Sequence, residues 1–168
     1  MIMFIPTYRE HSCVRPSGRR RERGFTITET MLAVAVLAIL VGLAAPGFRE
    51  IILSQAVKTA SFDLFSNLVA ARSEAITRNT TVTVTPSGGN WANGWTITDS
   101  SGDVVRQQDQ FAQVLIAGPG AIAFNSAGRL TTGSTSISLM ANGGKATHNR
   151  CIEIDLGGRP ATKKGACI

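Results

Sequence analysis

The sequence is poor in the residues from which most catalytic and metal sites are built. Among 168 residues there are two histidines and three cysteines, and beyond residue 24 the sole histidine is His148. There is no serine nucleophile elbow, no cluster of metal ligands and no glycine-rich phosphate loop. Asp99 and Asp103 share the turn DSSGD, which supplies too few ligands for a calcium site. We therefore predict no enzyme, no cofactor and no metal, with His148 a solvated loop side chain.

Positive charge is concentrated at the two ends of the chain. The formal net charge is +6, but residues 1–24 hold six Arg against two Glu, which leaves 11 basic and nine acidic residues in the remainder. Residues 129–168 carry six basic and two acidic side chains. Beyond residue 24 only Cys151 and Cys167 remain, an even number that suits an oxidising compartment.

An apolar run follows the N-terminal arginines. Met31 to Ala45 are fifteen consecutive residues without a polar side chain, and from Phe25 to Phe48 only Glu29 is charged. As a helix, residues 25–48 would span about 36 Å, enough to cross a bilayer core of about 30 Å. The preceding arginines predict a cytoplasmic N-terminus and a C-terminal domain outside the cytoplasm.

Three general interpretations of this segment compete. An ordinary signal peptide could be cleaved near Ala45, although Pro46 and Glu29 are poorly placed for one. A twin-arginine signal lacks the hydrophobic residues that should follow the arginine pair. A simple anchor leaves Glu29 unexplained, because a central intramembrane acid costs about 2.5–3.5 kcal/mol on insertion scales.

The stretch RG followed by FTITETMLAVAVLAILVGLAAPGF resembles the class III leader and N-terminal helix of type IV pilins and type II secretion pseudopilins. The resemblance implies that a prepilin peptidase removes residues 1–24 by cutting between Gly24 and Phe25, and N-methylates Phe25. Glu29 falls on the family's glutamate and Pro46 on a proline that often interrupts this helix. Thr28 and Thr30 stand where the family more often has aliphatic residues, and the leader is longer than most.

Cleavage would create an α-ammonium at Phe25 in a low-dielectric environment. A carboxylate from Glu29 of a neighbouring subunit could neutralise it there. We therefore expect Glu29 to be an assembly residue that sets docking and register, and we place Pro46 with it among the assembly residues.

Beyond Pro46 the pattern predicts an α+β, pilin-like fold. The long helix continues to about Arg78, with an apolar face at the spacing of a helix that packs on a core. From Thr80 the pattern alternates, and six short strands are predicted between turns, with two tryptophans at a core edge. Their stretches are TTVTVTP, GWTITD, VLIAG, AIAFNSAGRL, SISLMA and CIEIDL. We expect a membrane-spanning half at residues 25–48 and an antiparallel β-rich head at 49–168.

The head also carries a family resemblance. LVAARSEAITRNTTVTV, NWANGW, IAFNSAGRL and RCIEIDLGGRP followed by a cysteine are similar to the H-type pseudopilins and FimT-like minor pilins, the GspH/FimT-like family. A bridge between Cys151 and Cys167 would contribute about 3 kcal/mol in the chain-entropy model.

Within the predicted bridge we expect a surface loop, GGRPATKKG, that presents Arg159, Lys163 and Lys164 without a neighbouring acid. In FimT-like minor pilins a Gly-Arg-x-Arg element in this region is implicated in DNA capture. Gly158 and Arg159 match it, whereas Ala161 replaces the second arginine. With no aromatic residue after Phe124, DNA binding would be dominated by phosphate contacts.

The prediction that follows is a minor pilin or pseudopilin of a type IV pilus or type II secretion pseudopilus. Its expected partners are other pilin or pseudopilin subunits, the prepilin peptidase and an inner-membrane assembly platform. The expected location is the inner membrane, with the head in the periplasm, and then the filament. The alternatives are a DNA-binding transformation pilin and a periplasmic protein released near Ala45 by signal peptidase.

Overall fold

The computed structural model describes residues 24–167, except for the side chains of Ala45 and Pro46. The predicted leader, apart from Gly24, lies outside the described residues. The chain divides into two compact units, one that ends at Val41 and one that begins at Gly42. One α-helix, α1, spans Ile27–Thr77 and contributes residues to both units.

The end of α1 is set by Asn79, which adopts a positive φ of 50°. The Thr80 N–H donates to the Ala75 carbonyl at 3.1 Å, and the Asn79 N–H donates to the Ile76 carbonyl at 3.3 Å. Asparagine tolerates this left-handed conformation better than most residues do, so it can close a helix where glycine is more usual.

In the second unit, α1 buries one continuous apolar face, as the sequence predicts. Its members recur every three or four residues and are at most 3% exposed: Leu53, Val57, Ala60, Leu64, Leu68, Ala71 and Ala75. They form a single core with buried residues of the strands. Phe65, which the pattern places on the same face, is only partly buried at the margin of the core.

Eight strands follow α1. Their bounds are β1 Val82–Pro86, β2 Trp95–Asp99, β3 Val104–Gln108, β4 Val114–Ala117, β5 Ile122–Phe124, β6 Thr135–Ala141, β7 Arg150–Ile154 and β8 Pro160–Lys164. They form two four-stranded sheets in the orders β3-β2-β1-β5 and β4-β6-β7-β8. Every strand pairing is antiparallel. The predicted α+β class is therefore confirmed.

Two details differ from the sequence prediction. Trp91 and Trp95 are enclosed in the core, at 2% and 0% exposure, and do not cap its edge. The Trp91 indole N–H donates to the Pro119 carbonyl at 2.7 Å, which satisfies the polar end of the buried ring. The basic stretch predicted as a loop forms β8, the terminal strand of its sheet.

Candidate assembly helix and basic C-terminal strand

Thr26 starts the candidate assembly helix. The Glu29 N–H donates to Thr26 Oγ1 at 3.3 Å, so the threonine satisfies one of the free donors of the first turn. The sequence Thr26-x-x-Glu29 has the spacing of a capping box, in which the glutamate would bond back to the cap. That reciprocal bond is not formed within residues 24–167. The helix start therefore depends on the threonine more than on the Glu29 carboxylate.

The two threonines that depart from the family pattern have their hydroxyl groups satisfied locally. Thr30 Oγ1 lies 2.9 Å from the Thr26 carbonyl and 3.0 Å from the Ile27 carbonyl, to which it donates. The Thr28 hydroxyl shares a 3.1 Å hydrogen bond with the Thr26 hydroxyl. Since neither hydroxyl needs water, both residues are compatible with a membrane-facing position.

The residues around Glu29 form an exposed apolar surface. Ile27–Ala44 is long and apolar enough to cross a membrane, with a mean hydropathy of 2.3, and all of these residues are exposed. Phe25 is 78% exposed. Across residues 24–167 the Glu29 carboxylate has no hydrogen bond or ion pair. An unpaired acid in an apolar segment suits the interaction with another chain that the sequence predicts for Glu29.

At the C-terminal end, Gly158 and Arg159 belong to a hairpin turn whose geometry recurs in the head. Asp155 Oδ1 accepts the Arg159 N–H at 2.9 Å, and the Asp155 carbonyl accepts the Gly158 N–H at 2.9 Å. The same pair of bonds closes the turns Asn125–Arg129 and Asp99–Asp103. Each turn reads Asp or Asn, two residues, Gly, and one more residue. This shared spacing is a signal that the separate turn predictions missed.

Gly158 is further constrained by a close approach between two of these turns. Its φ is 73°, and a Cβ built on it would lie 2.1 Å from the Gly128 carbonyl oxygen. That oxygen also accepts the Arg72 Nε–H at 2.9 Å. The glycine of the Gly158-Arg159 pair is therefore required by backbone conformation and packing, independently of any ligand.

The expectation that Arg159 and Lys163 lack acidic neighbours is wrong. Arg159 Nε lies 3.2 Å from Asp155 Oδ2, and Lys163 Nζ forms an ion pair with the Glu153 carboxylate. The Arg159 backbone N–H, with help from its guanidinium, holds the pKa of Asp155 below its ordinary value. Strand pairing places Lys163 of β8 opposite Cys151 of β7. Glu153 lies two residues after Cys151 on β7, so its carboxylate is the diagonal neighbour of Lys163 and is within reach. Hairpin register and turn geometry therefore bring each acid to its cation.

The three basic residues also do not share one face. Arg159 lies in the turn before β8, while Lys163 and Lys164 are successive strand residues and so point to opposite sides of the sheet. Lys164 is opposite Arg150 in register. Within the described part of the chain, Lys164 has no ion-pair partner. A phosphate backbone would thus meet fewer free, converging charges than the sequence predicts.

Cys151 and Cys167 are bonded to each other. The disulfide fastens the segment after β8 to β7, in which Cys151 is buried. It therefore holds the terminal strand in place, and with it the three basic residues.

His148 and Asp99 have closer neighbours than the sequence indicates. The His148 side chain is only 19% exposed, and its Nδ1 lies 3.6 Å from Glu50 Oε2, so the prediction of a solvated side chain is wrong. The Asp99 carboxylate accepts bonds from Ser101 and Asp103, and the Ser101 hydroxyl is the main cause that lowers its pKa. Residues 24–167 contain no group of three potential metal-ligating side chains of the His, Cys, Asp or Glu types.

The long apolar helix followed by an antiparallel head defines a membrane-anchored, pilin-like protein. The model of the type II transport protein GspH family matches residues 60–158, and the prokaryotic N-terminal methylation motif matches residues 19–45. The chain belongs to the GspH family. It is accordingly a minor pilin or pseudopilin, a class of structural subunits that assemble with other pilins.

Solved structures show the same fold. The type IV minor pilin FimU of Pseudomonas aeruginosa is 23% identical, with a TM-score of 0.57 over 64% of this chain and 87% of that one. The minor pseudopilin EpsH from the type 2 secretion system of Vibrio cholerae is 12% identical, with a TM-score of 0.52 over 64% of this chain and 96% of that one. A comparison with curated proteins found no match.

Proposed function

We propose that the chain is made as a prepilin and matures by cleavage between Gly24 and Phe25. A prepilin peptidase removes residues 1–24 and methylates Phe25, and residues 25–48 then anchor the subunit in the inner membrane. The arginines before the span favour a cytoplasmic N-terminus, with the head at residues 49–168 in the periplasm. The match of the methylation motif to residues 19–45 supports this maturation.

Incorporation into a filament depends on Glu29 in this proposal. The observation that carries it is the unpaired Glu29 carboxylate, which lies on an exposed apolar helix whose neighbouring threonines are all satisfied locally. The α-ammonium of Phe25 in an adjacent subunit is the complementary group. At a separation of about 4 Å and an effective dielectric constant near 20, the attraction is about 4 kcal/mol.

Substitution of Glu29 separates assembly from helix capping. Glu29→Ala should abolish incorporation into filaments sheared from cells, while expression and membrane insertion stay intact. Glu29→Gln is the matched variant, because glutamine is accepted at this capping-box position but carries no charge. We expect it to fail as Ala does. Recovery of assembly by Gln would contradict the ion pair and leave capping as the role of Glu29.

Intact mass of the membrane-extracted protein checks maturation in the same samples. Every variant should begin at an N-methylated Phe25. A terminus near Ala45 would instead favour the periplasmic protein released by signal peptidase and would end the assembly argument. The filament type, pilus or pseudopilus, does not alter either expectation.

Capture of DNA by Arg159, Lys163 and Lys164 stays a prediction with less support than assembly. Two of the three cations have carboxylate partners, and the two lysines point to opposite faces of β8. Phosphates would have to compete with Asp155 and Glu153 for these side chains. We therefore place assembly first and DNA capture second.

A further inference from the structure

A groove of about 530 Å³ lies in the head where α1 meets the last two strands of the second sheet. We call it the α1–β8 groove. The residues that matter for its chemistry are Lys58, Ser61, Phe62 and Phe65 from α1, Arg150 from β7, and Thr162 from β8. Neither the apolar segment Ile27–Ala44 nor any of Arg159, Lys163 and Lys164 lines it.

The groove exposes large apolar side chains of α1. Phe62 is 71% exposed, and Phe65 is only partly buried at the margin of the core. Pro160 and Ala161 of β8 extend the apolar lining. Aromatic rings that stay exposed in a pocket are the usual anchors for a protein partner.

Two cations line the same groove. Among the described residues, Lys58 and Arg150 have no carboxylate within 4 Å, in contrast to Arg78, Arg159 and Lys163. Free cations beside an apolar lining complement a ligand that offers a carboxylate next to an apolar side chain.

A third feature of the groove is a buried polar atom without a partner. Ser61 is 3% exposed, and its hydroxyl has no hydrogen bond within residues 24–167. Buried hydroxyl groups are almost always bonded, so an incoming polar group would satisfy one that the fold leaves open.

The strand beside the groove offers backbone groups as well. β8 is the terminal strand of its sheet. The Asp155 N–H donates to the Arg159 carbonyl, and the Gly165 N–H donates to the Asn149 carbonyl. Because bonded pairs alternate along an antiparallel ladder, the backbone of Thr162 faces away from β7. An extended segment could therefore pair with this edge.

We propose that the α1–β8 groove binds an extended segment of a neighbouring subunit that carries acidic and large apolar side chains. Its carboxylates contact Lys58 and Arg150, its apolar side chains cover Phe62 and Phe65, and a polar group reaches the Ser61 hydroxyl. The identity of the partner as a subunit rests on the proposed function. The chemistry of the segment follows from the groove itself.

Binding of a defined probe tests the proposal. The full chain is placed in zwitterionic nanodiscs, with empty discs as the blank, and titrated into a fluorescein-labelled octapeptide that alternates Glu with Leu and Val. A second peptide has Gln in place of every Glu. We expect the Glu peptide to bind at least about fivefold more tightly than the Gln peptide. One partly exposed ion pair contributes up to about fivefold, and the groove offers two cations.

Variants locate the binding. Lys58→Gln and Arg150→Gln should each weaken binding of the Glu peptide about fivefold, and Phe62→Ser about tenfold. The matched controls are Arg159→Gln and Lys163→Gln, which remove the same charge from cations that already have a carboxylate partner. They should change the affinity less than twofold. Thermal unfolding of each variant verifies that the head stays folded.

Three results would overturn the proposal. Equal losses in all four cation variants would show that the peptide responds only to net charge. Tighter binding of a labelled 12-nucleotide single strand, with the same dependence on Arg150 and Phe62, would identify a nucleic-acid groove. Saturation by a second labelled copy of this chain, without binding of the Glu peptide, would identify a self-association surface that does not recognise an acidic extended segment. Peptide binding that is unchanged in Glu29→Ala would show that the groove acts independently of the proposed role of Glu29.

Discussion

Replacement of Gly158 by alanine tests whether this glycine serves the fold or a ligand. The residue lies at the left-handed position of its turn, with a φ of 73°, where an L side chain is strained by about 1–2 kcal/mol. Its added Cβ would also lie 2.1 Å from the Gly128 carbonyl oxygen and 3.2 Å from the Phe124 ring. The two turns must therefore move apart.

The cost of that movement can be estimated from the bond it breaks. The Gly128 oxygen accepts the Arg72 Nε–H at 2.9 Å, and a hydrogen bond to a charged group is worth about 1.5–3 kcal/mol. Together with the conformational strain, Gly158→Ala should lower the free energy of unfolding by about 2.5–5 kcal/mol. For a chain of this size that corresponds to a fall in Tm of about 7–15 °C.

Gly102 provides the matched control. It occupies the same position in the turn Asp99–Asp103, with a φ of 89°, but a Cβ there would meet nothing within 4 Å. Gly102→Ala should therefore show the strain alone, a fall of about 3–6 °C. Tryptophan fluorescence suits the thermal scan, because both tryptophans of the chain are buried in the head. Equal shifts in the two variants would refute the packing argument.

Two further predictions concern the same end of the chain. The pKa of Asp155 is lower in the folded protein than its ordinary value of 3.8. The stability that this carboxylate contributes is therefore fully present when the pH is above 3.8, and it is lost as the pH falls through the lower pKa of the folded state. Asp155→Asn should therefore destabilise the head at pH 7 and have a smaller effect near pH 2. Thermal scans at both pH values measure the difference. An equal loss of Tm at both pH values would contradict the pairing with Arg159. Reduction of the Cys151–Cys167 disulfide should lower the unfolding free energy by about 3 kcal/mol, since the bond closes a loop with a separation of 16 residues. A Tm that dithiothreitol does not change would contradict that contribution.

The sequence pattern predicts the helix and the buried strands because their apolar residues repeat at the period of the element. Val57, Leu64 and Leu68 mark one face of α1, and the alternation in VTVTP marks β1. Two of the four edge strands, β3 and β8, give no such signal. β3 reads VVRQQ and β8 reads PATKK, and neither strand contains a buried residue. Edge strands of this kind are defined by their neighbours more than by their own sequence.

The charged pairs of the site depend on information that the local sequence does not contain. Lys163 meets Glu153 because β7 and β8 pair in one register. His148 meets Glu50 because the fold packs the short turn between β6 and β7 against α1. The two residues are separated by most of the sequence of the head. The Arg159–Asp155 pair is different, since the turn pattern Asp-x-x-Gly-Arg brings the two together locally. That pair was predictable from the spacing shared with the other turns.

The start of α1 gives a physical reason for the proposed assembly role of Glu29. On the proposed maturation, Thr26 becomes the second residue of the mature chain and caps a helix that begins one residue later. The positive end of the helix dipole and the α-ammonium of Phe25 then lie side by side in an apolar segment. Water cannot screen them there, so a carboxylate from outside the chain would stabilise both charges at once. The Glu29 of a neighbouring subunit is such a group, and the unpaired state of Glu29 within the described residues leaves it free for that role.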